Sequence, residues 1–311
     1  MLSRTADSLF WMARYMERAE NLARLLEVGH RLAITPGETG GNEWLSTVTI
    51  AGCGQDFFET HQNATAQTVT DFLGLSEHNS YSIPSCIANA RGNGRAVRTA
   101  LTSSMWESLN GTWLDLETKR REALSGTGVI DYLDWIKDRS MQFTGAITST
   151  MLRSDAYYFT QMGTLLERAD NTARILDVKY HVLLPEHEAV GGGLDFYQWN
   201  AILRAVTANR AYHYLYRDSL QPWLIAEMLI LRSELPRSLV GCLAGVTDCL
   251  EKLSNAYGAR KDCVRMANAL HADLAYGKIE DIFQQGLHEF LTDFLRRNYA
   301  LADQIQRDYL L

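Results

Sequence analysis

The chain has 311 residues, of which 46% are apolar, five are cysteine and five are proline. At roughly 150 residues per domain, that length holds one large domain or two ordinary ones, and the composition excludes collagen-like, disordered and disulfide-scaffold classes. Thirty Lys and Arg against 37 Asp and Glu leave a net charge of -7, which opposes nonspecific attraction to nucleic acid or an anionic membrane.

Average usage of about 5% would give roughly fifteen prolines. So few fits a mostly helical chain, because proline removes a backbone donor and clashes with the preceding helical turn. Periodicity and breakers predict a first helix over 3–33, ended by Pro36 with Gly37, Gly40 and Gly41, and a second over 42–60. A loop over 76–84, with Asn79, Ser80 and Ser82, leads to helices at 84–102, 103–124 and 129–152. Another helix runs over 154–184, and Gly191-Gly192-Gly193 marks a flexible connection. Further helices follow at 195–216, 222–231, 236–256, 260–276 and 279–308. Pro84, Pro222 and Pro236 are placed at helix N1 positions, where proline is tolerated.

The cysteines, Cys53, Cys86, Cys242, Cys249 and Cys263, are odd in number and lack C-x-x-C spacing. Neither a disulfide framework nor a zinc knuckle is indicated, and a reducing compartment is expected. No apolar signal segment opens the sequence, and the apolar run near 224–231 is short and contains Glu227. The expectation is a cytoplasmic protein with no membrane span.

Self-similarity is the most informative feature. Residues 17–28 read ERAENLARLLEV and residues 167–178 read ERADNTARILDV, identical at eight of twelve positions at an offset of 150. Unrelated segments would share about one. Pro36 and Pro185, and Pro84 and Pro236, recur at nearly the same offset. The predicted architecture is an all-α helical bundle of two pseudo-repeated halves, 1–150 and 151–311, packed as one compact unit.

With each residue advancing about 100° round a helix, Glu17, Glu20, Asn21 and Arg24 form one polar stripe, and Trp11, Tyr15, Leu22 and Leu26 lie opposite. Glu167, Asp170, Asn171 and Arg174 repeat the stripe, and Arg18 and Arg168 follow the two glutamates. Three readings stay open. The stripes are solvated faces with weak intrahelical ion pairs, or a buried ion-pair and amide network joining the halves, or a ligand or catalytic site.

These segments, with the opening MLSRTADSLFWMARY, the stretch holding Arg91, Asn93, Arg95 and Arg98, MWESLN at 105–110 and PRSL at 236–239, together resemble the bacterial alpha-E domain family over nearly the whole chain. One departure is Ala90-Arg91-Gly92-Asn93-Gly94-Arg95, where the family reads close to ARENAR. The missing glutamate and the two glycines set this segment apart from any acid-dependent role. The resemblance implies an all-helical domain with Glu-Arg motifs. It also implies a partnership with a circularly permuted ATP-grasp ligase, alongside a transglutaminase-like protein, in a system that makes or modifies short peptides.

The expected role is thus an accessory or substrate-handling component of an ATP-grasp-dependent peptide or amide ligation system. In it, Arg18, Arg24, Arg168 and Arg174, or Arg91, Arg95 and Arg98, clamp a carboxylate or phosphate, and Glu17 and Glu167 orient them or bind an amine. The competing expectations are an enzyme performing acyl or amino transfer with Glu17, Glu167 and the neighbouring arginines, and a noncatalytic scaffold whose outer apolar face docks the ligase. No cofactor is implied. A di-iron reading finds a single Glu-x-x-His pair, Glu27 with His30, matched in the second segment by Asp177 and Tyr180. His187, between Glu186 and Glu188, reads as a solvated turn. The arginines at 91–98 lack interleaved aromatics and make a poor nucleic-acid stripe.

Overall fold

A computed structural model describes residues 1–33, 42–124, 128–181, 192–217 and 219–310. Among them every regular element is helical. In chain order these are α1 (Ser3–Ala33), α2 (Asn42–Ile50), α3 (Gly54–Thr60), α4 (Ala66–Val69), a π-helical segment (Thr70–Leu75), α5 (Ile83–Ala96), a 3-10 turn (Arg98–Ala100), α6 (Ser103–Leu124) and α7 (Val129–Thr150). There follow α8 (Asp155–His181), α9 (Gly193–Ala205), α10 (Asn209–Tyr216), α11 (Pro222–Leu231), α12 (Leu239–Tyr257), α13 (Asp262–Ala275), α14 (Ile279–Gln285), α15 (Leu287–Ile305) and a second π-helical segment (Gln306–Leu310). The all-α prediction holds. Pro36, Pro185, His187, Gly191 and the glycines at 37, 40 and 41 lie outside the described residues.

Three predicted helices are each broken into two α-helices, and a fourth, over 84–102, ends at Ala96 and passes through Val97 into the 3-10 turn. The helix over 42–60 divides into α2 and α3 at Gly52, the helix over 195–216 divides into α9 and α10 at Thr207, and the helix over 279–308 divides at Gly286. The first two breaks share one geometry. Gly52 and Thr207 have φ of 75° and 57°, in the left-handed region. Cys53 N–H bonds back to Val48 O and Gly52 N–H to Thr49 O, while Ala208 N–H bonds to Leu203 O and Thr207 N–H to Arg204 O. That is a Schellman termination at each site, with glycine in one and a threonine forced into the same conformation in the other. Pro84 and Pro222 do sit in the first turns of α5 and α11. Pro236 instead precedes Ser238, whose hydroxyl caps α12 by accepting from Gly241 N–H, so serine rather than proline starts that helix.

The centre of the molecule is the pair α1 and α8. In α1, 20 of 31 residues are buried, so it is a central helix and not a surface helix with one wet side. It packs along α8, α5 and α7, and α8 packs along α1, α12 and α15. At Gly163 the two long helices come so close that a Cβ would stand 2.3 Å from the carbonyl oxygen of Phe10 and 3.3 Å from Cβ of Ala13. Glycine is required there by proximity, whatever its backbone angles. The second helices both lie against the long pair: α2 packs on α8 and α1, and α9 on α1 and α8. Leu25, Val28, Ile50, Val178, Ala201 and Ala205 form the small apolar cluster where these four helices meet.

Candidate functional site

Two buried glutamates organise the interface of α1 and α8. Glu17 is 1% exposed and receives a forked pair of bonds from Arg168, Nε to Oε1 and Nη2 to Oε2, both 2.9 Å. Glu167 receives the matching fork from Arg18, at 2.6 and 3.0 Å. Each Glu-Arg dipeptide therefore pairs with the other, across about 150 residues of chain. Parallel N–H···O bonds of this kind are stronger than single contacts and fix the register of the two helices.

Each glutamate also has a second arginine. Arg14 donates to Glu167 at 2.9 Å, and Arg237, ahead of α12, donates to Glu17 at 3.2 Å and to Glu20. Burial alone disfavours the ionised Glu167; Arg18 and Arg14 outweigh it and hold its carboxyl down at about 2. Burial likewise opposes ionisation of Glu20, and Arg237 and Arg24 overcome it, keeping its pKa low. Asn21 lies alongside, its Nδ2 donating to the backbone oxygen of Glu167 at 3.1 Å.

The second arginine of each repeated segment reaches outward to a helix end. Arg24 bonds Glu20 at 2.8 Å and donates through Nη1 to Ala205 O and to Thr207 Oγ1. Arg174 bonds Asp170 at 2.6 Å and donates through Nη1 to Ile50 O at 2.7 Å. Each thus places a cation on the orphan carbonyls at the C-terminus of a second helix, α9 or α2, where the helix dipole is negative. The strained Thr207 has its reason here, since its hydroxyl accepts from Arg24.

These positions overturn the solvated-face reading: Glu17, Glu20, Asn21, Arg24, Glu167 and Asn171 are all buried. Arg91, Asn93, Arg95 and Arg98 do not join the network. Arg91 bonds Asn110 and lies over the Trp113 ring, Arg98 lies over Trp106, Asn93 bonds back to Asn89 O, and Arg95 is exposed. Arg91 and Arg98 turn to α6, whereas the side of this segment that meets α1 is carried by Gly94, packed on Met12. Glu27 is held by Arg31 and Lys137, and His30 contacts Thr70 and the Trp44 ring, so the Glu-x-x-His pair is split between different neighbours.

A cavity of about 390 Å³ opens on one flank of the network, between α1, α8 and the end of α15. Arg14, Arg18 and Arg174 give it positive charge; Glu167, Asp170 and Asp303 give it negative charge. Trp11 and Leu22, assigned by the sequence to the side opposite the stripe, border the same space. Arg14 and Arg18 project between the two arcs, about 60° and 100° round the helix from Glu17, and so carry charge onto the apolar side.

A family model described as "a predicted alpha-helical domain with a conserved ER motif" matches residues 1–310. The chain belongs to the Alpha-E family. The Glu-Arg dipeptide occurs in this Alpha-E chain at Glu17-Arg18 and Glu167-Arg168, the four residues that form the reciprocal forks. No curated protein and no solved structure matches this Alpha-E chain. Among its described residues no helix is long and apolar enough to cross a membrane.

Sequence reasoning missed Arg14 and Arg237. Arg14 has Thr164 at the matching position 150 residues on, so the repeat did not mark it. Arg237 follows a proline that does recur, and a charged residue beside that repeated breaker was the available signal.

Proposed function

We propose that this Alpha-E chain is a substrate-handling component of an ATP-grasp-dependent peptide or amide ligation system, binding a small charged ligand such as a peptide end in the cavity beside the Glu-Arg network. The observation that carries the binding part is the cavity itself. About 390 Å³ falls within the ordinary range for small-molecule sites, roughly 300–1,000 Å³, and its walls offer fixed guanidinium and carboxylate groups. Arg18 is the first candidate for a ligand carboxylate, since its side chain is 27% exposed and the fork to Glu167 uses only Nε and Nη2, whereas all three nitrogens of Arg174 already donate to Asp170 and Ile50 O. The ligase partnership rests on the family resemblance.

Catalysis by Glu17 and Glu167 is disfavoured on physical grounds. Both carboxylates are saturated by arginines, and Glu167 at about 2 has little affinity for a proton at neutral pH. Their role is to hold the arginines and the two long helices. We further propose that residues 1–150 and 151–311 descend from one duplicated unit; the reciprocal forks, the matching placement of α2 and α9 on the long pair and the paired Schellman breaks support this.

Co-purification with a circularly permuted ATP-grasp ligase from the same genome, followed by mass analysis of its peptide products with and without this chain, tests the role. A complex, or a change in product, is expected. The absence of both a complex and a product change would refute it.

A further inference from the structure

Glu20 and Asp170 occupy matching places in the repeated segments, yet they are neutralised differently. Glu20 is gripped by Arg24 from its own helix and by Arg237 from outside it, leaving its side chain 2% exposed. Asp170 is gripped by Arg174, the sole ion-pair partner it has among the described residues, and its side chain remains 23% exposed on the cavity. Ser82 caps α5 as Ser238 caps α12, and the residue before the cap is Tyr81, on the cavity wall, where α12 has Arg237, so no second guanidinium arrives. Arg14 supplies the second cation to Glu167 and makes no ion pair with Asp170.

We propose that the cavity receives the cationic head of a ligand, a guanidinium or a primary ammonium, which binds Asp170 as Arg237 binds Glu20. Asn21 and Asn171 border the same space, each 5% exposed, and the Oδ1 of each has no hydrogen-bond partner among the described residues. Asn21 is oriented by its Nδ2 bond to Glu167 O, so its oxygen is the free end. Asp303 at the exposed rim, itself paired with Arg307, adds a second carboxylate, and Tyr299 adds an aromatic face suited to a cation. A chain carrying both a cationic head and a carboxylate would span from Asp170 to Arg18. This rests on the substrate-binding reading above and names the amine-bearing side of that substrate.

The test is calorimetric titration of the full chain at low ionic strength with agmatine and putrescine as cationic probes and succinate as an anionic one. Agmatine is expected to bind, with affinity falling about tenfold or more in Asp170→Asn, as for loss of a charged hydrogen-bond partner. Asp303→Lys, at the rim and outside the buried network, keeps the test valid if Asp170→Asn unfolds, and should weaken agmatine several-fold. Arg95→Ala should bind as the parent does. Binding of succinate alone would overturn the cationic assignment while leaving the substrate-binding reading in place. Silence from all three probes would overturn both. Equal agmatine binding by the parent, Asp170→Asn and Asp303→Lys would place the cation elsewhere and refute the inference.

Discussion

Replacing Glu167 by glutamine removes one negative charge from between Arg14 and Arg18 while keeping the shape of the side chain. An ordinary glutamate has a pKa of 4.5, and this one is held at about 2. The difference corresponds to about 3 kcal/mol of stability, the low end of the roughly 3–5 kcal/mol seen when one partner of a buried ion pair is removed. Because the folded pKa lies below the unfolded one, this stability is complete above pH 4.5 and is lost as the pH falls through 2. Roughly 1 kcal/mol is gone by pH 4 and about 2 kcal/mol by pH 3. Glu167→Gln does not titrate, so its deficit against the parent should narrow over that window. Urea unfolding followed by tryptophan fluorescence at pH 7, 5, 4 and 3 measures the deficit directly. A loss below about 1 kcal/mol at pH 7, or a deficit that stays constant down to pH 3, would refute the reasoning.

Gly163→Ala should lower stability by about 2–3 kcal/mol, since its Cβ meets the Phe10 carbonyl and the long helices must part; a melting temperature within a degree of the parent would contradict this. Gly52→Ala places a Cβ on a residue at φ 75° with only ordinary contact to Arg174, so a smaller cost of about 1–2 kcal/mol is expected by chemical denaturation. Cys86, Cys242 and Cys249 are buried, which pushes their thiols up to about 12. At pH 8 they should react with a thiol reagent only as fast as the protein opens, and burst labelling of native protein would show the packing to be wrong. Arg95→Ala, on the exposed side of α5, should leave stability within about 0.5 kcal/mol of the parent.

Much of the fold was legible because helix formation is local. Few prolines, apolar periodicity and breakers placed α1, α6 and α11 at their observed bounds. The breaks inside α2–α3 and α9–α10 were not legible from the pattern. A helical period continues across Gly52 and Thr207, and what stops it is a left-handed residue whose freed carbonyls are met by Arg174 and Arg24 from distant chain. The repeated Glu, Arg, Asn and Arg were marked by identity alone, which cannot separate a solvated face from a buried one. Arg14 and Arg237 escaped for the opposite reason: the sites they serve are repeated but they are not.

Length, composition and the repeat at an offset of 150 thus determined an all-helical chain and pointed to a polar stripe carried twice. The low proline count belongs with that result, since uninterrupted helices of 31 and 27 residues are what place both stripes side by side. Tertiary structure alone decided that the stripes face each other rather than water, because burying a carboxylate depends on where its arginine partners arrive from elsewhere in the chain. It also decided that one side of the network is closed by Arg237 and the other left open as a cavity. That asymmetry between two matching segments arises from non-repeated residues, and it is where the chemistry of a ligand can enter.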